Sequence, residues 1–135
     1  MTLAVVAAVI EHADRFLITR RQDGVHLAGH WEFPGGKVGA GETHAAALRR
    51  EIIEELDTDV VVHELVLETS HKYPERDVTL FFYRCDLLGT PKPMLGQQME
   101  WIPRAQLSSL LFPPADDELI RLLAAGAAYS GGGAA

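Results

Sequence analysis

Cysteine is the scarcest reactive group in this chain. Cys85 stands alone among 135 residues, which excludes an intramolecular disulfide and leads us to expect a reducing compartment, the cytoplasm. Its place in the apolar run from Val78 to Cys85 reads as a quiet core thiol. Positive charge is also short. Twelve Lys and Arg against 19 Asp and Glu give a net charge of −7, leaving no surplus to neutralise the phosphates of a nucleic acid polymer. No apolar run approaches the ~18 residues of a membrane span. The first ten residues are apolar, but no basic region precedes them and Glu11-His12 ends the run. A core strand is therefore expected, not a leader or a membrane anchor. The six histidines find no cysteine partner: His26 and His30 are separated by Gly29 in a polar loop and read as surface residues. Side-chain bulk runs out at the end, so residues 129–135 are expected to be a disordered tail behind a single domain of residues 1–128. The domain is expected to be a monomer or a homodimer.

What is present is an ordinary globular composition, 47% apolar and 23% charged. Leu3 to Ile10 reads as a strand buried on both faces, Glu11 to Asp14 as a hairpin turn, and Phe16 to Arg21 as its second strand. A polar loop from Gln22 to His30 leads to Trp31-Glu32-Phe33, and Pro34-Gly35-Gly36 is predicted to turn sharply. A helix is predicted from the N-cap Thr43 to Leu56, with an apolar stripe of Ala45, Leu48, Ile52 and Leu56. Strands are predicted over Val60–Leu67, Val78–Cys85 and Trp101–Pro103, with polar Thr69–Asp77 and Leu88–Gln98 as connections. A second helix follows Pro113-Pro114, from Asp116 to Ala125. The pattern predicts an α/β fold with a mixed sheet flanked by helices.

The first helix carries an electrostatic cost. Glu51, Glu54 and Glu55 share one face and gather in its C-terminal half, the negative end of the helix dipole. Like charges at i, i+4 destabilise a helix by about 0.2–0.5 kcal/mol per pair, and the dipole adds a similar penalty. A cation should compensate, and hard carboxylate oxygens suit Mg²⁺ or Mn²⁺. Ahead of the helix, Gly35, Gly36, Gly39 and Gly41 permit positive φ or close backbone approach to a metal or a phosphate. The plainer alternative is a solvated acidic face with one Arg50–Glu54 pair.

Together these residues spell Gly36, five residues, Glu42, seven residues, then Arg50-Glu51-Ile52-Ile53-Glu54-Glu55. This resembles the Nudix box, G-x5-E-x7-R-E-U-x-E-E-x-G-U with U a bulky aliphatic. Only the end departs: Asp57 replaces the final glycine and Thr58 the aliphatic after it. Aspartate tolerates the left-handed conformation of a helix C-cap, so the departure is mild. Phe16 to Arg21, Glu32 to Lys37, Tyr73 to Arg76, Glu100-Trp101 and Phe112 to Ala115 also resemble the MutT-like branch, which hydrolyses nucleoside triphosphates.

The resemblance implies a Nudix-type α/β/α sandwich and an enzyme that adds water to a triphosphate, releasing pyrophosphate and a nucleoside monophosphate. It implies Mg²⁺ as cofactor, with Mn²⁺ able to substitute, held by the Gly36 carbonyl and by Glu51, Glu54 and Glu55. Glu51 or its neighbour Glu54 would handle the attacking water, Arg50 would hold the carboxylates, and Gly35 and Glu42 would support the box. Members of the branch usually carry a further glutamate at the position of Leu95, leaving Glu51 or Glu100 as candidate base. The implied substrate contacts are Arg21, Phe33, Lys37, Tyr73, Arg76 and Asp116. Phe33 has an alternative as ordinary core, Arg21 and Arg76 as surface ion pairs, and Asp116 as a helix N-cap. Ionised Asp116 only accepts hydrogen bonds, which suits 8-oxoguanine, guanine or cytosine. The reading taken is hydrolysis of 8-oxo-dGTP, in sanitation of the nucleotide pool. The alternatives are CTP, dCTP or 5-methyl-dCTP as substrate, and a non-catalytic nucleotide sensor.

Overall fold

A computed structural model of the chain describes residues 2–22, 24 and 28–126. The expected tail, residues 129–135, and His26 lie outside the described residues. Among the described residues, eight strands and two helices follow in chain order: β1 Thr2–Val9, β2 Glu11–His12, β3 Arg15–Arg20, β4 Trp31–Glu32, β5 Gly35–Lys37, α1 His44–Leu56, β6 Val60–Lys72, β7 Asp77–Leu87, β8 Gln98–Pro103 and α2 Asp117–Ala124. Two short 3₁₀ segments, Arg104–Ser109 and Pro114–Asp116, link β8 to α2.

The apolar β1 sits inside a mixed sheet of order β5-β1-β7-β6, parallel to β7 and antiparallel to β5. A second sheet, order β2-β3-β4 with β8 paired to β3, is antiparallel throughout. Alternation along β1 and β3 divides the core. Val6, Ala8, Ile10 and Leu17 pack with α1, and Ala7, Val9, Phe16 and Ile18 pack with α2. One helix on each face gives the expected α/β/α sandwich.

Several local expectations change. Residues 13 and 14 make the β2–β3 turn with φ of 52° at Ala13 and 62° at Asp14, both positive as a type I′ hairpin requires. Gly35 and Gly36 do not turn; they pair with Ala7 and Val6 as strand β5. A Cβ on Gly35 would lie 2.0 Å from the Val6 carbonyl oxygen, so this glycine serves close strand approach. The polar stretch from Thr69 is largely strand: Ser70, His71 and Lys72 continue pairing to Thr79, Val78 and Asp77. Cross-strand pairing, including a 3.0 Å Ser70–Thr79 hydroxyl bond, outweighs the polar composition there. In α1 the buried stripe uses Ala47 rather than Ala45, together with Leu48, Ile52 and Leu56. His44 extends it, its ring 4.3 Å from that of Phe81 and its Nδ1 2.7 Å from the Tyr83 hydroxyl.

Candidate active site

Helix α1 starts where Thr43 accepts a 3.1 Å hydrogen bond from the Ala46 amide. It ends at Asp57, which adopts the left-handed conformation (φ 55°, ψ 34°) and donates its amide to the Ile53 carbonyl at 3.0 Å. The aspartate thus does what glycine does at this cap. Between the caps, Arg50 is the hub. Its Nε and Nη2 donate to both oxygens of Glu42 at 2.8 and 2.9 Å, and its Nη1 donates to Glu51 Oε2 at 2.8 Å. Nη2 also donates to the Lys37 carbonyl at 3.1 Å, and Glu54 Oε1 lies 3.5 Å from Nη1. Glu42 closes the loop by accepting the Gly39 amide at 2.7 Å. These charge-assisted bonds hold the Glu42 carboxyl down at about 2, with Arg50 the largest cause.

Glu55 behaves oppositely. Burial pushes its carboxyl up to about 8, and the charges of Glu51 and Glu32 push the same way, against a bond from the Gly35 amide. Gly36 lies against Glu51: a Cβ there would sit 2.2 Å from Glu51 Oε1. The carboxylate thus occupies the space a side chain would take. Hard oxygens, crowded negative charge and a bare backbone beside them fit a divalent cation in donor chemistry. The side chains are not in a closed cage: among the described residues no three His, Cys, Asp or Glu groups converge to hold an ion. Glu51 leans on Arg50, and the Glu54 side chain is 58% exposed.

Beside Gly36 opens a cavity of about 520 Å³, within the range of small-molecule sites. All six substrate residues expected from the sequence line it: Arg21, Phe33, Lys37, Tyr73, Arg76 and Asp116. Phe33 stacks on Phe112 at 5.7 Å within the core and also lines the cavity. Arg21 does form an ion pair, 3.3 Å from Glu32, but its partner lines the cavity too. Asp116 is only 6% exposed, and its side chain caps no helix, so the N-cap alternative falls. Burial first, then Glu32, push its carboxyl up to about 7, opposed by Arg21. The full ionisation expected from the sequence therefore does not hold. Near neutral pH Asp116 is part protonated and can donate as well as accept.

Glu32 was missed from the sequence. It lines the cavity, and its charge raises the carboxyls of both Glu55 and Asp116. A signal existed: a charged residue between Trp31 and Phe33 in a strand. Glu100 is displaced as candidate base. It pairs with Ile18, and its neighbours Met99 and Trp101 pack with the α1 cluster, so strand alternation turns Glu100 to the other face. Leu95 is 59% exposed.

The chain matches the NUDIX domain family over residues 5–122 and belongs to that family. It is thus a Nudix hydrolase, and Nudix hydrolases are in general divalent-metal dependent. The chain is 36% identical over 123 residues to an 8-oxo-dGTP diphosphatase of Haemophilus influenzae, covering 90% of each chain. It is 33% identical to a CTP pyrophosphohydrolase of Escherichia coli, over 87% of this chain and 88% of the other. The solution structure of the E. coli ORF135 protein superposes with a TM-score of 0.78 at 33% identity, covering 90% of this chain and 86% of that one. Among the described residues no helix is long and apolar enough to cross a membrane.

Proposed function

We propose that this chain is a Mg²⁺-dependent pyrophosphohydrolase of nucleoside triphosphates, with 8-oxo-dGTP as preferred substrate and nucleotide-pool sanitation as its role. One observation carries this reading. The nucleoside-sized cavity and the glutamate helix meet at Gly36, which lines the cavity and touches Glu51. A nucleotide seated there has its phosphates beside the carboxylates.

The Gly36 carbonyl and Glu51, Glu54 and Glu55 would hold Mg²⁺, or Mn²⁺ in its place. When bound, the ion supplies charge to the phosphate oxygens and acidifies a water. Glu51 has one oxygen committed to Arg50, and its other oxygen, Oε1, takes the proton of the attacking water. Glu54 backs it from the next turn, while Arg50 fixes the carboxylate and Glu42 and Gly35 fix the loop. Lys37 and Arg76 offset the triphosphate charge. Water breaks the α–β anhydride, giving the nucleoside monophosphate and pyrophosphate. Phe33 and Tyr73 enclose the base, and Asp116, with Arg21 behind it through Glu32, reads the base edge.

Asp116 also favours a second reading. Its carboxyl and that of Glu32 both line the cavity and could together accept from an amino group, as cytosine presents. The CTP pyrophosphohydrolase similarity accords with that reading. Pyrophosphate release with Mg²⁺ across 8-oxo-dGTP, dGTP, CTP, 5-methyl-dCTP and ADP-ribose separates the alternatives. We expect 8-oxo-dGTP to give the highest kcat/KM. A cytosine nucleotide in first place transfers the assignment to the second reading, and turnover of none would mark a non-catalytic sensor. Replacing Asp116 by Ala should reorder the ranking, and an unchanged order removes it from the base pocket. Glu51→Gln should abolish turnover while Glu100→Gln leaves it near normal; the reverse pattern moves the base to Glu100.

A further inference from the structure

The carboxylate-rich end of α1 is held from outside the helix. It has no basic residue in its last turn to offset the dipole, and its final carbonyls have no partners within the helix. The loop before β8 supplies the partners. The Lys92 amide donates to the Leu56 carbonyl at 2.8 Å, and the Met94 amide donates to the Glu55 carbonyl at 2.9 Å. The Gln97 side chain adds a second donor, Nε2 to the same Glu55 carbonyl at 3.1 Å, while its Oε1 accepts the Leu95 amide at 2.8 Å. Gly96, at φ +72°, makes the turn that folds Gln97 back on Leu95.

We infer that Gln97 is a positioning residue, whose amide locks residues 92–97 onto the Glu55 backbone and so fixes the carboxylate end of α1. The inference rests on the reading that Glu55 belongs to the metal-binding set. The amide orientation is forced by its partners, because a backbone N–H only donates and a carbonyl only accepts. No carboxylate can replace it: both oxygens of a glutamate accept, and one would face the Glu55 carbonyl. The loop at this position therefore contributes geometry, while the charge stays on the helix. Residues behind metal ligands typically change metal affinity or activity by about 10–100-fold when removed.

The test compares Gln97→Met, which keeps the length and loses both bonds, with Gln97→Glu, which keeps the shape and reverses one bond. Gln98→Met, an exposed neighbour, is the control. Mn²⁺ binding followed by electron paramagnetic resonance reads the site without turnover, and kcat and KM for the triphosphate are measured alongside. Circular dichroism and thermal melting establish that each variant is folded. Both Gln97 variants should weaken Mn²⁺ binding by about 10-fold or more and lower kcat, with KM changed by less than about 3-fold. Gln98→Met should match the wild type. Either Gln97 variant binding Mn²⁺ within about 3-fold of the wild type overturns the inference, and tighter binding by Gln97→Glu would make position 97 a ligand site. Should Gln97→Met not fold, Gln97→Glu alone decides by the same criterion. Wild-type Mn²⁺ binding tests the cofactor reading separately, because the inference is scored on the ratio of variant to wild type.

Discussion

At the scale of single residues, either a charged partner or burial decides what each carboxyl does. Arg50 forks onto both oxygens of Glu42 and holds Glu51 with a third nitrogen. Lysine has a point charge and no fork, so Arg50→Lys should lower kcat by about 10–100-fold with the fold intact, measured by pyrophosphate release and melting. Asp116 has the opposite environment. Its native carboxyl titrates at about 7, against about 3.9 in the unfolded chain. Between those values the native state keeps a proton that the unfolded chain has lost. The Asp116 contribution is thus fully present below about pH 4 and is lost as the pH rises to 7, a change on the order of 2–4 kcal/mol. Asp116→Asn should flatten the fall in melting temperature over that window; an unchanged fall assigns it to other groups. The charge pattern of the box was legible in the sequence because every member lies within 20 residues of Gly36. The state of Asp116 was not, since it depends on Glu32 and Arg21 arriving from distant segments.

At the scale of elements, neighbouring glycines do different work. A Cβ at Gly35 meets the Val6 backbone oxygen at 2.0 Å, and the strands must part to admit it. A Cβ at Gly36 meets the Glu51 carboxylate at 2.2 Å, the far end of a flexible side chain. We therefore expect Gly35→Ala to destabilise by about 3 kcal/mol or more in urea titrations. Gly36→Ala should cost little stability but lower kcat by about 100-fold, because it displaces the Glu51 carboxylate. Equal stability losses in the two variants would refute the distinction. From the sequence these glycines look like a turn, because composition does not distinguish a glycine needed for φ from one needed for proximity. Likewise Ala45 and Ala47 flank the Leu48–Ile52 stripe on opposite sides of the helical wheel, about 200° apart, and only contact with the sheet selects Ala47.

At the scale of the whole molecule, a chain of net charge −7 concentrates part of that charge on one helix. A ligand that binds only the native state stabilises it by RT ln(1 + [L]/Kd), about 2.7 kcal/mol at 100 times Kd. Millimolar Mg²⁺ should therefore raise the melting temperature of the wild type, and the Glu51→Gln/Glu54→Gln/Glu55→Gln variant should lose that response. A variant that retained the full shift would place the cation elsewhere.

The sequence alone determined the charge pattern of the box, the family and the class of fold. The spacing of Glu42, Arg50, Glu51, Glu54 and Glu55 follows from one loop and one helix, whose geometry repeats locally. The alternating and continuous apolar runs likewise specified strands and helix faces. Only the tertiary structure decided that the Glu32 charge reaches both Glu55 and Asp116, that Asp116 is buried rather than capping α2, and that Gln97 braces the end of α1. Each of these depends on contacts between segments far apart in the chain, and burial and hydrogen bonding across such contacts set proton affinity and position.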